Sequence, residues 1–170
     1  LGTVIRLSQP HRVLELGTAA GYSSIYMISC GDSIERIDTI EDWEPRIPVA
    51  MKNIASAGAS EKIRLITGDA LEVMSGLDEP YDLVLIDAAK GQYPDYLKEA
   101  IRLTHRGSVM IADNILQDGD LLESRYIVER RDRTIHKRIR EFLDELFGDD
   151  RFSTSLLPLG DGVTFSIRCK

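Results

Sequence analysis

The chain has 170 residues, of which 43% are hydrophobic and 29% are charged, and its formal net charge is −7. This length predicts one domain with a sizeable core, because two domains would each be small. No apolar run approaches the roughly 20 residues of a membrane-spanning helix, and the N-terminal segment lacks the pattern of a secretory signal. We therefore expect a cytoplasmic protein, and its acidic balance argues against non-specific coating of nucleic acid.

Apolar segments of strand length alternate along most of the chain with segments of helical period. The predicted strands are residues 12–16, 34–40, 63–67, 81–86 and 108–112, and the predicted helices are residues 22–29, 45–57, 70–76 and 94–104. This alternation predicts an α/β fold, in which a doubly wound, mostly parallel sheet carries helices on both faces.

The C-terminal part has a different pattern. Residues 121–147 are rich in charge and predict one or two helices. Residues 152–157 and 163–169 then flank the turn-rich sequence PLGDG. A link this short predicts that the last two strands pair antiparallel.

The turn after the first strand has the sequence ELGTAAGYS, residues 15–23. Open α/β sheets bind ligands outside the carboxyl ends of their strands, and glycines there let the backbone approach a ligand closely. The turn is not the GxGxxG sequence that binds a pyrophosphate, which disfavours a dehydrogenase. Glycines at such turns are equally common for packing reasons alone.

Carboxylates follow the next two strands. Glu41 ends the second strand, where ribose hydroxyls are commonly held, although it could simply be a solvated acid. Asp69 follows the third, where it could accept a hydrogen bond from an adenine amino group or cap the next helix. With Glu15 before the glycine turn, these acids predict a pocket for an adenosine that carries no phosphate and has an amino-bearing or cationic tail. S-adenosylmethionine has these groups.

Asp87 ends the fourth predicted strand, and Asp113 and Asn114 end the fifth. If these strands are neighbours, three oxygen ligands converge on a hard cation such as Mg²⁺, with Mn²⁺ or Ca²⁺ as alternatives. Alternatively, each acid could cap its own loop. Lys90 could remove the proton of a hydroxyl held on the cation, or it could stay charged beside Asp87 and only orient the substrate.

Six motifs occur in order along nearly the whole chain: VLELGTAAGYSS, TIE, ITGDALEVM, YDLVLIDAAKGQY, IADNIL and LPLGDGVTFS. In sequence and spacing they resemble the cation-dependent class I O-methyltransferases, the family that includes catechol and caffeoyl-CoA methyltransferases. The pairing of IDAAK with ADN is quite specific, whereas the glycine turn is generic for methyltransferases. The resemblance implies a Rossmann-like, seven-stranded sheet with an antiparallel last strand, and a homodimer.

The same resemblance implies roles for individual residues. The S-adenosylmethionine pocket is formed by Glu15, Gly17, Tyr22, Ser23, Glu41, Asp69, Ala70 and Asp87. The metal ligands are Asp87, Asp113 and Asn114, and Lys90 is the catalytic lysine, with Asp87 beside it. A non-catalytic nucleotide-binding module is the competing class, and it would need none of the last four residues together.

The sequence RRDRTI leading into HKRIREFLDEL is closest to the bacterial branch that methylates 5-hydroxyuridine in the tRNA anticodon. The basic residues that could meet phosphates are Arg125, Arg130, Arg131, Arg133, Lys137, Arg138 and Arg140. The alternative is a solvated helix face whose basic side chains pair with Glu129, Asp132, Glu141 and Asp144. A small catechol-like or caffeoyl-CoA-like phenol is the competing acceptor.

Family members normally carry further N-terminal helices ahead of the segment that corresponds to LGTVIRLSQP. We therefore expect residues 1–170 to form one methyltransferase domain that lacks these helices. Their loss would weaken cofactor retention, which puts the catalytic competence of this chain in question.

Overall fold

The computed structural model describes residues 1–122, 129 and 131–170. In this part of the chain, seven strands form one sheet: β1 (Arg12–Leu16), β2 (Arg36–Glu41), β3 (Ile63–Thr67), β4 (Tyr81–Ile86), β5 (Thr104–Ala112), β6 (Phe152–Leu157) and β7 (Val163–Arg168). Their order across the sheet is β3-β2-β1-β4-β5-β7-β6. The β7 strand runs antiparallel to both of its neighbours, and the pairs among β1 to β5 are parallel. The predicted α/β fold and its antiparallel last strand are confirmed.

The helices are α1 (Gly2–Ser8), α2 (Tyr22–Cys30), α3 (Ile47–Ser56), α4 (Ala70–Ser75), α5 (Tyr93–Arg102) and α6 (Arg133–Gly148), with short 3-10 helices at Lys90–Gln92 and Gln117–Leu122. None of the helices in the described ranges has the length and apolarity needed to cross a membrane. The α1 helix was not predicted from the sequence; it is short and ends where Gln9 turns left-handed ahead of Pro10.

Two regions differ from the predicted boundaries by more than two residues. The β5 strand begins at Thr104, four residues before the predicted start, because its first residues are polar and largely exposed and so carry no apolar signal. The helix predicted to reach residue 104 therefore ends at Arg102. In the charged segment, α6 covers residues 133–148, while residues 123–128 and 130 lie outside the described part of the chain.

The central strands are apolar on both faces because helices cover both sides of the sheet. In β4, Val84 and Ile86 face a core completed by α4, α5 and α6. Leu83 and Leu85 face a second core, to which α1, α2 and α3 contribute. After the four buried residues 83–86, which alternate between the two cores, the chain is exposed at Asp87, directly beyond the carboxyl end of β4.

The turn after β1 is pressed against the end of β4. Gly17 has φ +96°, and a Cβ placed there would lie 2.1 Å from the main-chain oxygen of Asp87. Its N–H donates to the oxygen of Ile40 at 3.0 Å, and the N–H of Asp87 donates to that of Leu16 at 2.9 Å. The ends of β1, β2 and β4 thus meet at Gly17. This position requires glycine both because a Cβ would clash and because the backbone is left-handed.

Replacing Gly17 by alanine should destabilise the protein far more than the same change at Gly107, which also has φ +96° but around which a Cβ would meet no atom within 4 Å. Gly107→Ala carries only the left-handed backbone cost of about 1 kcal/mol, whereas Gly17→Ala adds a clash with main chain and should cost more than about 3 kcal/mol. Urea unfolding of both variants measures the difference. Equal losses would show that the Asp87 contact relaxes without cost.

Candidate active site

Two clefts open at the carboxyl edge of the sheet. The first, of about 200 Å³, lies over β1, β2 and the start of α4, and we call it the glycine-turn cleft. The second, of about 260 Å³, lies over β4, β5 and β7, and we call it the strand-end cleft. Asp87 lines both clefts, so the two clefts adjoin at this residue.

Four of the predicted cofactor-binding residues line the glycine-turn cleft: Gly17, Glu41, Ala70 and Asp87. Glu41 is only 5% exposed, and its carboxylate is fixed by main-chain donors. Its Oε2 accepts from the N–H of Ala19 at 2.7 Å, and its Oε1 accepts from the N–H of Trp43 at 3.0 Å. A carboxylate held this way at a cleft wall can still accept hydrogen bonds from ligand hydroxyls, since each oxygen has two lone pairs.

Glu15 lies beneath the clefts in a buried polar network. Its side chain is fully buried and accepts hydrogen bonds from the hydroxyls of Ser23, Ser24 and Thr39, the last at 2.6 Å. Burial raises its pKa, an effect that the three hydroxyl donors oppose. Ser23 also lines the strand-end cleft, so it connects this network to the open site.

Two other predicted residues have local roles in the structure. Asp69 caps α4, because its Oδ1 accepts from the N–H groups of Leu71 at 2.9 Å and Glu72 at 3.1 Å. Tyr22 is 77% exposed and stacks on Tyr26, with ring centroids 6.1 Å apart. Neither Asp69 nor Tyr22 is among the described residues that line the two clefts.

The predicted metal ligands and the lysine come together, since β4 and β5 are neighbours. Lys90 Nζ donates to Asp87 Oδ1 at 3.2 Å and to Asn114 Oδ1 at 3.3 Å, so these two oxygens approach a common point. It also donates to the main-chain oxygen of Asp113 at 3.1 Å. Asp113 lines the strand-end cleft together with Asp87.

This donor set fits a hard cation, because carboxylate and amide oxygens are its usual ligands. Asn114 has a left-handed backbone with φ 54°, and its N–H donates to Asp113 Oδ1 at 2.7 Å. Among the described residues, no group of three or more Asp, Glu, His or Cys side chains is arranged to hold a metal. The predicted set has two carboxylates and one amide.

Two residues hold the lysine turn, Lys90–Gln92, in a way that the sequence did not predict: Tyr93 was given no role, and Arg138 was named only as one of the basic residues of the charged segment. Tyr93 is fully buried, and its Oη accepts from Lys90 Nζ at 2.7 Å and donates to the oxygen of Asp113 at 2.9 Å. Burial, followed by the charges of Asp87 and Asp113, raises the pKa of this phenol, so it keeps its proton. Arg138 on α6 donates to the oxygen of Gly91 at 2.8 Å. The available signal was the three-residue spacing of Lys90 and Tyr93, which puts both on one side of a helical turn.

The basic segment is largely paired within the chain. Arg131 pairs with Glu129 at 3.0 Å, and Lys137 pairs with Glu141 at 3.4 Å. Arg138 pairs with Glu141 at 3.2 Å and with Asp95. The other described members of the set are Arg133 and Arg140, which also have partners, while Arg125 and Arg130 lie outside the described residues. These pairs favour a solvated helix face over a phosphate-binding surface.

The burial of Glu15 predicts a pH-dependent stability difference. Because its pKa is raised on folding, its contribution to stability is fully present below the ordinary value of 4.5 and is lost as the pH rises through the folded pKa. Glu15→Gln keeps the shape without the charge, so its free energy of unfolding relative to wild type should increase from pH 4.5 to pH 8. Urea unfolding across this range tests the trend, with the exposed Glu61→Gln as control. A difference that shrinks with rising pH would contradict it.

The chain is similar to known methyltransferases in sequence. The O-methyltransferase family model matches residues 1–169. A catechol O-methyltransferase from Niastella koreensis is 37% identical over 127 residues, which cover 72% of this chain and 58% of that protein. One from Mycobacterium tuberculosis is 36% identical over 115 residues, covering 67% of this chain and 52% of that protein. The matched regions span little more than half the length of these two relatives.

The fold is also similar to that of solved structures. An O-methyltransferase from Bacillus cereus, in complex with SAH, aligns with a TM-score of 0.88 at 26% identity, covering 98% of this chain and 78% of that chain. The resemblance drawn from the sequence motifs is therefore confirmed for the family, while the tRNA-modifying branch stays a hypothesis. Because the family model covers nearly the whole chain, this protein belongs to the O-methyltransferase family.

Proposed function

We propose that this protein transfers the methyl group of S-adenosylmethionine to a hydroxyl of a small phenol held on a divalent cation. The observation that carries the proposal is the position of Asp87, which lines both clefts and accepts a hydrogen bond from Lys90 at 3.2 Å. A residue at this junction can contact both the methyl donor and the acceptor. The similarity to catechol O-methyltransferases supports a phenolic acceptor.

The glycine-turn cleft is the proposed site of the adenosine part of the cofactor. Glu41 would accept the ribose hydroxyls, and Gly17 and Ala70 would let the main chain approach the nucleoside. Ser23, which lines the other cleft, would contact the amino-acid part above the Glu15 network. Asp69 and Tyr22 remain proposed members of this site. In the structure, Asp69 caps α4 and Tyr22 is exposed.

Asp87, Asp113 and Asn114 are the proposed cation ligands, with Mg²⁺ the expected ion and Mn²⁺ or Ca²⁺ as alternatives. When bound, the cofactor supplies the methyl group and the cation supplies a Lewis acid that lowers the pKa of the acceptor hydroxyl. Lys90 then either accepts the hydroxyl proton or, as an ammonium, orients the hydroxyl. Holding the acceptor at Asp87, where the two clefts meet, lowers the barrier by proximity.

The walls of the strand-end cleft favour a small aromatic acceptor. Its apolar lining includes Leu85, Ile111, Leu157 and Phe165, which suit a flat ring with few polar groups. A 5-hydroxyuridine in tRNA would present phosphates to the protein surface, and the described basic residues before and within α6 already have partners within the chain. One methyltransferase domain over residues 1–170, a homodimer and a cytoplasmic location stay predictions.

A methyl-transfer assay tests the proposal directly. Purified protein with S-adenosylmethionine should methylate a catechol when Mg²⁺ is present and lose this activity when the metal is chelated. Transfer to tRNA containing 5-hydroxyuridine, with no transfer to the catechol, would overturn the phenol proposal. Transfer that survives chelation would overturn the metal proposal.

Asp113→Ala should abolish the Mg²⁺-dependent turnover. The affinity for S-adenosylhomocysteine, measured by calorimetry, should be largely unchanged, because Asp113 does not line the glycine-turn cleft.

Lys90→Ala should lower turnover by about 100-fold or more, because it removes the amine that handles the acceptor proton. Lys98→Ala is the matched control, since Lys98 also pairs with an aspartate three residues earlier at 3.2 Å but lies on the exposed face of α5. Lys90→Arg separates the two roles, because its guanidinium can orient a hydroxyl but does not accept a proton at ordinary pH. Lys90→Ala turnover equal to wild type across pH would remove Lys90 from the mechanism.

A further inference from the structure

Arg46 gives the glycine-turn cleft a cationic side chain. The charged residues that line this cleft are Glu41, Asp42, Asp87 and Arg46, so among the described lining residues Arg46 is the only cation. It directly precedes α3 and is largely exposed. None of the ion pairs among the described residues includes Arg46. Its charge is therefore available to a ligand of the cleft.

The guanidinium of Arg46 is held by an aromatic ring. Its central carbon lies 4.7 Å from the ring centroid of Trp43. The turn that joins the two residues is fixed, because the Arg46 N–H donates to the oxygen of Trp43 at 2.9 Å. The N–H of Trp43 in turn donates to Glu41 Oε1 at 3.0 Å. The stacked pair is thus tied to the carboxylate that we expect to hold the ribose.

A planar guanidinium beside a nucleoside cleft has two common uses. It can pair with a phosphate, or it can stack on a flat ring, as arginine does with nucleobases. The three carboxylates around the same cleft would repel a phosphate. A neutral adenine is not repelled by these carboxylates. The planar guanidinium can then contact the adenine ring with one face and the Trp43 ring with the other.

We propose that Arg46, held against Trp43, is a binding residue for the adenine ring of S-adenosylmethionine. This inference rests on the proposed function, because it takes the glycine-turn cleft to be the adenosine site. It adds to that site a residue outside the motifs that carry the family resemblance. Arg46 and Trp43 precede α3 in a segment to which those motifs give no role.

The sequence offers a direct readout, because Trp43 is the only tryptophan in the 170 residues. Adenine stacking on Arg46 changes the surroundings of an indole that is 54% exposed. Titration of the wild-type protein with S-adenosylhomocysteine should therefore change the tryptophan emission, with a midpoint equal to the Kd from calorimetry. Calorimetric binding without any change in emission would overturn the role of the Trp43–Arg46 pair.

Variants at Arg46 test the contact itself. Arg46→Ala should weaken S-adenosylhomocysteine binding roughly three- to thirtyfold, the range expected for a lost cation–π contact. 5′-Methylthioadenosine, which lacks the amino-acid part, should lose affinity by the same factor, because the contact is to the adenine. Arg46→Lys should recover little of the affinity, because an ammonium keeps the charge but not the planar stack.

Arg106→Ala is the matched control, because it makes the same change at an exposed arginine in the first half of β5, away from the cleft. Its affinity for both ligands should equal that of wild type, and circular dichroism should show that all variants are folded. Wild-type affinity in Arg46→Ala would overturn this inference and leave the proposed function standing. No binding of S-adenosylhomocysteine by the wild-type protein would overturn the proposed function, and this inference with it.

Discussion

The carboxyl ends of β4 and β5 are organised around one amine, the side chain of Lys90. Lys90 donates to Asp87 and Asn114, to the main-chain oxygen of Asp113 and to the hydroxyl of Tyr93. Without a positive charge between them, the electronegative groups at two adjacent strand ends would repel one another. The Lys90 amine therefore lies between two acidic strand ends, and the same grouping of oxygens suits a divalent cation.

The position of this cluster follows from how the sheet is buried. The strands β1 and β4 are enclosed on both faces, so a polar side chain can reach solvent only where they end. The Gly17 turn then closes against the main chain of Asp87 and divides the open edge into two clefts that share this residue. One close main-chain approach thus lies where the two clefts meet.

The sequence predicted the strands well where they are continuously apolar, as in β4, and poorly where they are polar, as at the start of β5. It correctly brought Asp87, Asp113 and Asn114 to one edge, because parallel neighbours end together. It could not predict that Glu15 is buried beneath three hydroxyls or that Arg46 stacks on Trp43. Such contacts depend on how loops from different strands meet, and hydrophobic periodicity carries no information about that.

The same limit applies to the basic segment before and within α6. A run of arginines and lysines suggests a phosphate-binding surface when the acidic partners of these side chains are not known. In the structure, Arg138 contacts Asp95 and the main chain of Gly91, and so serves the turn that carries Lys90. An arginine for which the sequence left open a phosphate contact or a solvated helix face thus contacts the lysine turn from α6.

The tip of the β6–β7 hairpin is joined to the segment after Asn114. The N–H groups of Ile115 and Leu116 donate to the oxygens of Gly162 and Asp161, and a Cβ on Gly162 would lie 2.3 Å from the Leu116 side chain. Leu157 and Leu159 of the same hairpin line the strand-end cleft. Under the proposed function, remodelling this hairpin for a bulkier acceptor would therefore also shift the segment that directly follows Asn114, so acceptor specificity and the proposed cation ligand would be coupled through the main chain.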